Sequence, residues 1–166
     1  MRELVSVADE NGRIVGSAFR DEIKGKGLIA CIAATIVFNT KGNIILQKIA
    51  RTKDGDPLKW AYSSGGHVSA GEDYETAAVR ELKEELGIDG KIDSFIGQTS
   101  TVRKQTGKTG SFHFVYKVIH DGPYFPDPAE AEEIREFTPE ELSSLMRGHP
   151  ERFKKSALHI LKTLQL

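Results

Sequence analysis

Glu81, Glu84 and Glu85 stand at intervals that put three carboxylates on one side of an α-helix. At about 100° per residue they fall within roughly 100° of one another. Like charges three and four residues apart each cost an isolated helix a few tenths of a kcal/mol. The ordinary reading of such a helix is a charged face turned to water, with Arg80 and Lys83 screening it. Two features argue for a site instead. The acids follow a double-glycine break at Gly65-Gly66, and no cation is expected on their face. Carboxylate oxygens suit hard divalent cations, and Mg²⁺ takes a few of them while keeping waters and substrate phosphates. A glycine carbonyl freed at the break would add one more oxygen. The chemistry within reach is a cation held against a phosphate.

The helix that must carry these acids is the clearest in the chain. Asp73 to Leu86 is rich in alanine and has no internal Gly or Pro, with Asp73 as N-cap and Gly87 as stop. Ala78, Val79, Leu82 and Leu86 fill the neighbouring arc and should pack on a sheet, whereas Glu75 falls on that arc out of place. Upstream, period-two alternation over Leu4–Ala8 and the turn signal Asn11-Gly12 predict a hairpin over about residues 3–18. Arg20 to Lys26 suggests two helical turns. Leu28 to Phe38 reads as a strand buried on both faces, returning through Ile44–Ile49. Trp60-Ala61-Tyr62 is strand-like and broken at Gly65-Gly66. Ile92–Val102, Phe112–Ile119 and Glu133–Phe137 complete the strands. Pro139 opens a helix over Glu140–Met146, and apolar residues recur at helical spacing from Pro150 to Leu164. Strands outnumber helices and helices flank them, which predicts an α+β class, a mixed β-sheet covered on both faces in a single domain over residues 1–166.

Composition narrows the partners. Against 24 Asp+Glu there are 23 Lys+Arg, a balance that argues against a nucleic-acid polymer, whose binding needs many phosphates neutralised. The single Cys cannot form an internal disulfide and has no CxxC partner; Cys31 fits a reducing compartment, and the expected location is cytoplasmic. The longest apolar run, Leu28 to Phe38, is too short to cross a bilayer, so no membrane partner is expected.

The residues around the acids carry a family resemblance. From Gly66 the chain reads Gly, five residues, Glu72, seven residues, Arg80-Glu81-Leu82, one residue, Glu84-Glu85, one residue, Gly87-Ile88. This resembles the Nudix box of the Nudix hydrolases without a departure. The resemblance implies an α/β/α sandwich, the Nudix fold, with residues 65–88 as its loop and helix. It implies hydrolysis of a small-molecule diphosphate substrate, such as a nucleoside diphosphate linked to another moiety. It makes Glu81, Glu84 and Glu85 ligands of Mg²⁺ or Mn²⁺ beside the Gly65 carbonyl, with Gly66 at the turn and a Glu72–Arg80 salt bridge holding loop to helix.

Glu3 to Arg20, the segment from Lys53 through Pro57 to Trp60, Gly122-Pro123 and Phe137–Leu142 look like the branch that includes isopentenyl diphosphate isomerases. That raises an isomerase alternative. Such isomerases carry a catalytic Cys where this chain has Gly65, and a catalytic Glu where it has Ser111. Both departures favour the hydrolase. A non-catalytic nucleotide-sensing module is a further alternative, but regulators of that type tend to lose box acids that are all present here. In this branch Lys48 and Lys53 match diphosphate-binding positions, with Arg51 between them, and His67 lies beside the metal site. Arg103, Lys104 and Lys108 sit in a Gly- and Thr-rich loop that would cover the substrate. Glu130, Glu132 and Glu133 precede the last strand, and Glu133 is the expected general base or further ligand. Oligomeric state is left open, a homodimer included.

Overall fold

The apolar run becomes β3 (Ile29–Phe38), buried along nearly all its length. In the computed structural model, which describes residues 2–101 and 110–166, this strand organises the sheet. One edge of β3 is taken by β8 (Gly110–Ile119), parallel from Ile29↔Gly110 to Phe38↔Ile119. The other edge is divided among three antiparallel partners. β1 (Leu4–Ala8) pairs at Ile29 and Ala30, β6 (Ser64–His67) across Ile32–Thr35, and β4 (Ile44–Ile49) at Val37 and Phe38. Because β4 and β6 occupy successive stretches of one edge, they diverge beyond it and leave a gap. The remaining strands are β2 (Ile14–Phe19) on β1, β5 (Trp60–Ala61) and β9 (Ala131–Phe137) on β4, and β7 (Ser94–Ser100) on β8.

Helix α1 (Tyr74–Leu86) covers one face of the sheet. Its Ala77 and Ala78 pack with Cys31, Ala33 and Phe112, and its Leu82 and Leu86 with Val37, Ile45 and Val118. Helices α2 (Pro139–Gly148) and α3 (Lys155–Thr163) cover the other, where Leu142, Ile160 and Leu161 meet Ile36, Leu46, Trp60 and Phe137. This is the α+β mixed sheet with three flanking helices expected for a Nudix fold. The caps are local. Asp73 Oδ1 accepts from Thr76 N at 2.7 Å, Gly87 ends α1 at φ 66°, and Thr138 and Glu141 form a reciprocal capping box at α2. Among the described residues, no helix is long and apolar enough to cross a membrane.

Three local expectations need correction. Gly65-Gly66 does not break a strand but lies within β6, paired with Ala34 and Ala33. Arg20–Lys26 forms only a 3-10 turn at Arg20–Glu22 followed by turns. Val79 is exposed along with Glu75, because the buried arc of α1 is centred nearer Ala78 and Glu85. Arg103, Lys104 and Lys108 lie outside the described residues.

His113 on β8 is 3% exposed, and its Nε2 meets Ser111 Oγ at 2.8 Å. Burial first, and then the charge of Lys154, push its pKa down to about 4. An unfolded histidine titrates near about 6.5, so between the two values the unfolded chain binds a proton that the folded chain refuses. Stability therefore falls as pH drops through that window, by up to roughly 3 kcal/mol from this residue. H113Q is expected to lose less stability than wild type between about pH 7 and about pH 4.5, measured by urea unfolding. An equal loss in both proteins would contradict the assignment.

Candidate active site

The gap between β6 and β4–β5 is a cleft with two adjoining lobes, of about 420 Å³ and about 410 Å³. Gly65, Gly66, His67 and Glu85 face both, and the second is walled by Glu81 and Glu84 of α1. The three helix acids therefore open on one cavity, but in unequal settings. Glu85 lies in the middle of the buried arc and is 7% exposed. Its Oε2 accepts from Gln47 Nε2 at 2.7 Å and from Gly65 N at 3.1 Å. Burial, and then the neighbouring charge of Glu81, raise its pKa to about 8. Glu81 is also raised by burial, with Arg80 opposing. Glu84 is at the rim, its side chain 59% exposed.

Arg80 organises this wall. Its Nε and Nη2 grip Glu72 at 2.9 and 3.0 Å, and Nη2 also donates to the His67 carbonyl at 3.0 Å. Glu72 in turn accepts from Ser69 N at 3.1 Å. The pair thus ties the loop after β6 to the helix. The arginine does more than the sequence suggests, since its Nη1 donates to Glu81 at 2.6 Å and to Glu84 at 3.2 Å. A cation does lie against these acids, contrary to expectation. Arg80 and Glu84 stand four residues apart, about 40° round the helix, so their contact is one that helical spacing allows.

The two glycines are needed where they stand. A Cβ on Gly66 would come within 2.4 Å of Glu81 Oε1, so only glycine lets that carboxylate lie against β6. Gly65 has φ 155°, and a Cβ there would fall 2.5 Å from the Ala33 carbonyl oxygen and 2.8 Å from Ala34 Cα.

The expected cationic side chains separate. Lys53 faces both lobes and pairs with Glu130, which also faces both. His67 faces both too, and burial, with Arg20 next, holds its pKa down at about 4. Lys48 does not reach the cleft: alternation along β4 turns it to the α2/α3 face, over the Trp60 ring at 4.7 Å and bonded to Glu133. Glu133 is its cross-strand partner in β9, so it shares that face and is misplaced for a base in the cleft; Glu130 and Asp127 are the acids that line it. Arg51 is 69% exposed and bound to Glu132. Two cations that sequence reasoning passed over, Arg20 and Lys154, face the cleft from opposite ends of the chain. Neither carries a local signal. Arg20 follows the hairpin, and Lys154 is delivered by its backbone bond to the Trp60 carbonyl at 2.9 Å.

The donors suit a hard divalent cation. The polar wall is carboxylate oxygen, and Gln47, which lines the first lobe, has an Oε1 shut off from solvent with no partner among the described residues. The acids are not a finished cage: among the described residues, no three His, Cys, Asp or Glu side chains converge as a metal-holding group, because Arg80 holds Glu81 and Glu84 while Gln47 and Gly65 hold Glu85.

A NUDIX domain model matches residues 30–161, which include β3, β6, α1 and the cleft between them. The chain belongs to the NUDIX family. An isopentenyl-diphosphate Delta-isomerase 2 of Photorhabdus laumondii is 39% identical over 99 residues, spanning 58% of this chain and 56% of that relative, little more than half its length. An uncharacterized Nudix hydrolase of Nostoc is 32% identical over 154 residues, 89% of this chain and 88% of that protein. The crystal structure of DR0079 from Deinococcus radiodurans, 22% identical, matches in fold with a TM-score of 0.75 over 99% of this chain and 100% of that one.

In this NUDIX chain the close seat of β6 on β3 has a measurable consequence. G65A and G65C should each lose about 2 kcal/mol or more in denaturant unfolding, since the new Cβ meets backbone in a conformation side chains rarely adopt. Wild-type stability in either variant would show that β6 sits further from β3 than described.

Proposed function

We propose that the protein is a pyrophosphohydrolase that uses a divalent cation to cleave a phosphoanhydride bond in a nucleoside diphosphate linked to another moiety or in a related diphosphate. The observation that carries this reading is a single cleft with carboxylates on one wall and the cations Arg20, Lys53 and Lys154, beside a neutral His67, around the rest. A diphosphate placed there would be drawn by the cations and repelled by the acids unless a positive ion lies between. Glu81, Glu84 and Glu85, with the Gly65 carbonyl, are the proposed holders of Mg²⁺ or Mn²⁺. When bound, that ion supplies positive charge that offsets the charge developing on phosphate oxygens.

The chain's own residues supply position and proton transfer. Lys53, Arg20 and Lys154 hold the diphosphate so that water approaches one phosphorus opposite the bridging oxygen. The new P–O bond forms as the bridging P–O bond breaks, and the departing phosphate keeps the bridging oxygen. Glu81 or Glu130, both facing the cleft, accepts the proton that water loses. Arg80 keeps the box loop and helix in register throughout.

Isomerisation of an isoprenoid diphosphate is a second reading, favoured by the name of the Photorhabdus relative. Against it, Gly65 has no room for a cysteine, and Ser111 is bonded to His113 and Thr101 and lines neither lobe.

The test is a panel of nucleoside diphosphate derivatives, dinucleotides and isoprenoid diphosphates with Mg²⁺ or Mn²⁺. Phosphate-bond cleavage abolished by EDTA is expected, with kcat lowered about 100-fold or more in E81Q and in E85Q. K154A should raise KM about tenfold with little change in kcat. EDTA-resistant turnover, full activity in both glutamate variants, or double-bond migration without cleavage would each contradict the reading. Binding of a nucleotide without cleavage would instead favour a sensing module.

A further inference from the structure

Gln47 enters the cleft from β4, beside Glu85, and is 5% exposed. Its cross-strand neighbours are Ala61 on β5 and Ile134 on β9, which offer no side-chain hydrogen bond. The amide is half used. Nε2 donates to Glu85 Oε2 at 2.7 Å, while Oε1 is shut off from solvent with no partner among the described residues. Leaving a buried acceptor unpaired destabilises the fold. With Nε2 donating to Glu85, Oε1 is the oxygen left bare. A glutamine present only to hold Glu85 accounts for its donor and leaves its acceptor unexplained.

We propose that Gln47 is a cation ligand of this cleft, offering Oε1 to the same ion that Glu85 serves; the inference rests on the cation-dependent reading above. A neutral amide oxygen is an ordinary ligand for hard divalent cations. It adds a donor without adding charge to a lobe that already holds Glu85 and Glu130 and adjoins Glu81, Glu84 and Asp127. Its Nε2 bond to Glu85 meanwhile keeps the two oxygens in fixed relation, the usual role of a neighbour that orients a ligand.

The experiment measures Mn²⁺ binding without substrate, from the free-ion electron paramagnetic resonance signal, for wild type, Q47M and Q47E. Circular dichroism confirms that each is folded. Q47M fills a similar volume with neither polar atom, and about a tenfold or greater loss of Mn²⁺ affinity is expected. Q47E keeps an oxygen in place but loses the donor to Glu85, and it should bind within a few-fold of wild type or more tightly. Should Q47M fail to fold, Q47N, which withdraws the oxygen by one methylene, replaces it with the same expected loss. Q47M binding like wild type overturns the proposal while the cation reading stands. Q47E weakened as much as Q47M overturns it too, leaving Gln47 as a support for Glu85 alone. Wild type that does not bind Mn²⁺ overturns both.

Discussion

A carboxylate set into the packing face of a helix is the constraint on which this structure turns. Glu85 occupies the centre of the arc that buries Ala78, Leu82 and Leu86, where an apolar residue would pack without penalty. Removing a charged carboxylate from water is costly unless it is paired. Here its bonds are to an amide and a backbone N–H, both neutral. Glu81 adds a like charge beside it, and Arg80 on the same helix is already shared by Glu72, Glu81 and Glu84. Burial favours the protonated form of Glu85, and a divalent cation in the cleft before it would favour the ionised form instead.

That cleft is a product of sheet topology. One edge of β3 serves three strands in turn, and the splay of β4 from β6 follows from their sharing it. The acids come from α1, whose Glu81 lies against Gly66 of β6, and Gln47 comes from β4 across the gap. Gly65 and Gly66 allow β6 to lie close to β3 and to the Glu81 carboxylate together. Arg80 then fixes the loop that joins β6 to α1. The site is therefore a meeting of two divergent strands and one helix, and its geometry depends on how closely they pack.

What could be read in advance was local. The caps of α1 and α2, the β1–β2 hairpin and the buried run of β3 are written in neighbouring residues. So is the box itself, where spacing alone aligns three glutamates on a helix. What could not be read depended on pairing between distant segments. Glu133 and Glu130 look equivalent as acids before a strand, but register with β4 and the irregularity at Lys48/Ile49 send the first to the α2/α3 face and leave the second in the cleft. Lys48 was displaced by the same alternation. Arg20 and Lys154 reach the cleft only through long-range contacts, whereas the Arg80–Glu84 pair is an i,i+4 contact that the spacing already allows. Gly65-Gly66 reads as a break because glycine weakens strands, while here it admits close approach of backbones.

The central claim is that the buried glutamates of the cleft are stabilised by a divalent cation. It is tested most directly by thermal unfolding of wild type and an E81Q/E85Q double variant across a range of Mg²⁺ or Mn²⁺ concentrations, with no substrate. An ion that binds only the folded state adds about 2.7 kcal/mol at a hundred times its Kd. For a protein of this size that corresponds to a rise in Tm of roughly 5–10 °C. Wild type should show that rise and the double variant little or none. A Tm that ignores the ion in wild type, or that climbs equally in both, would contradict it.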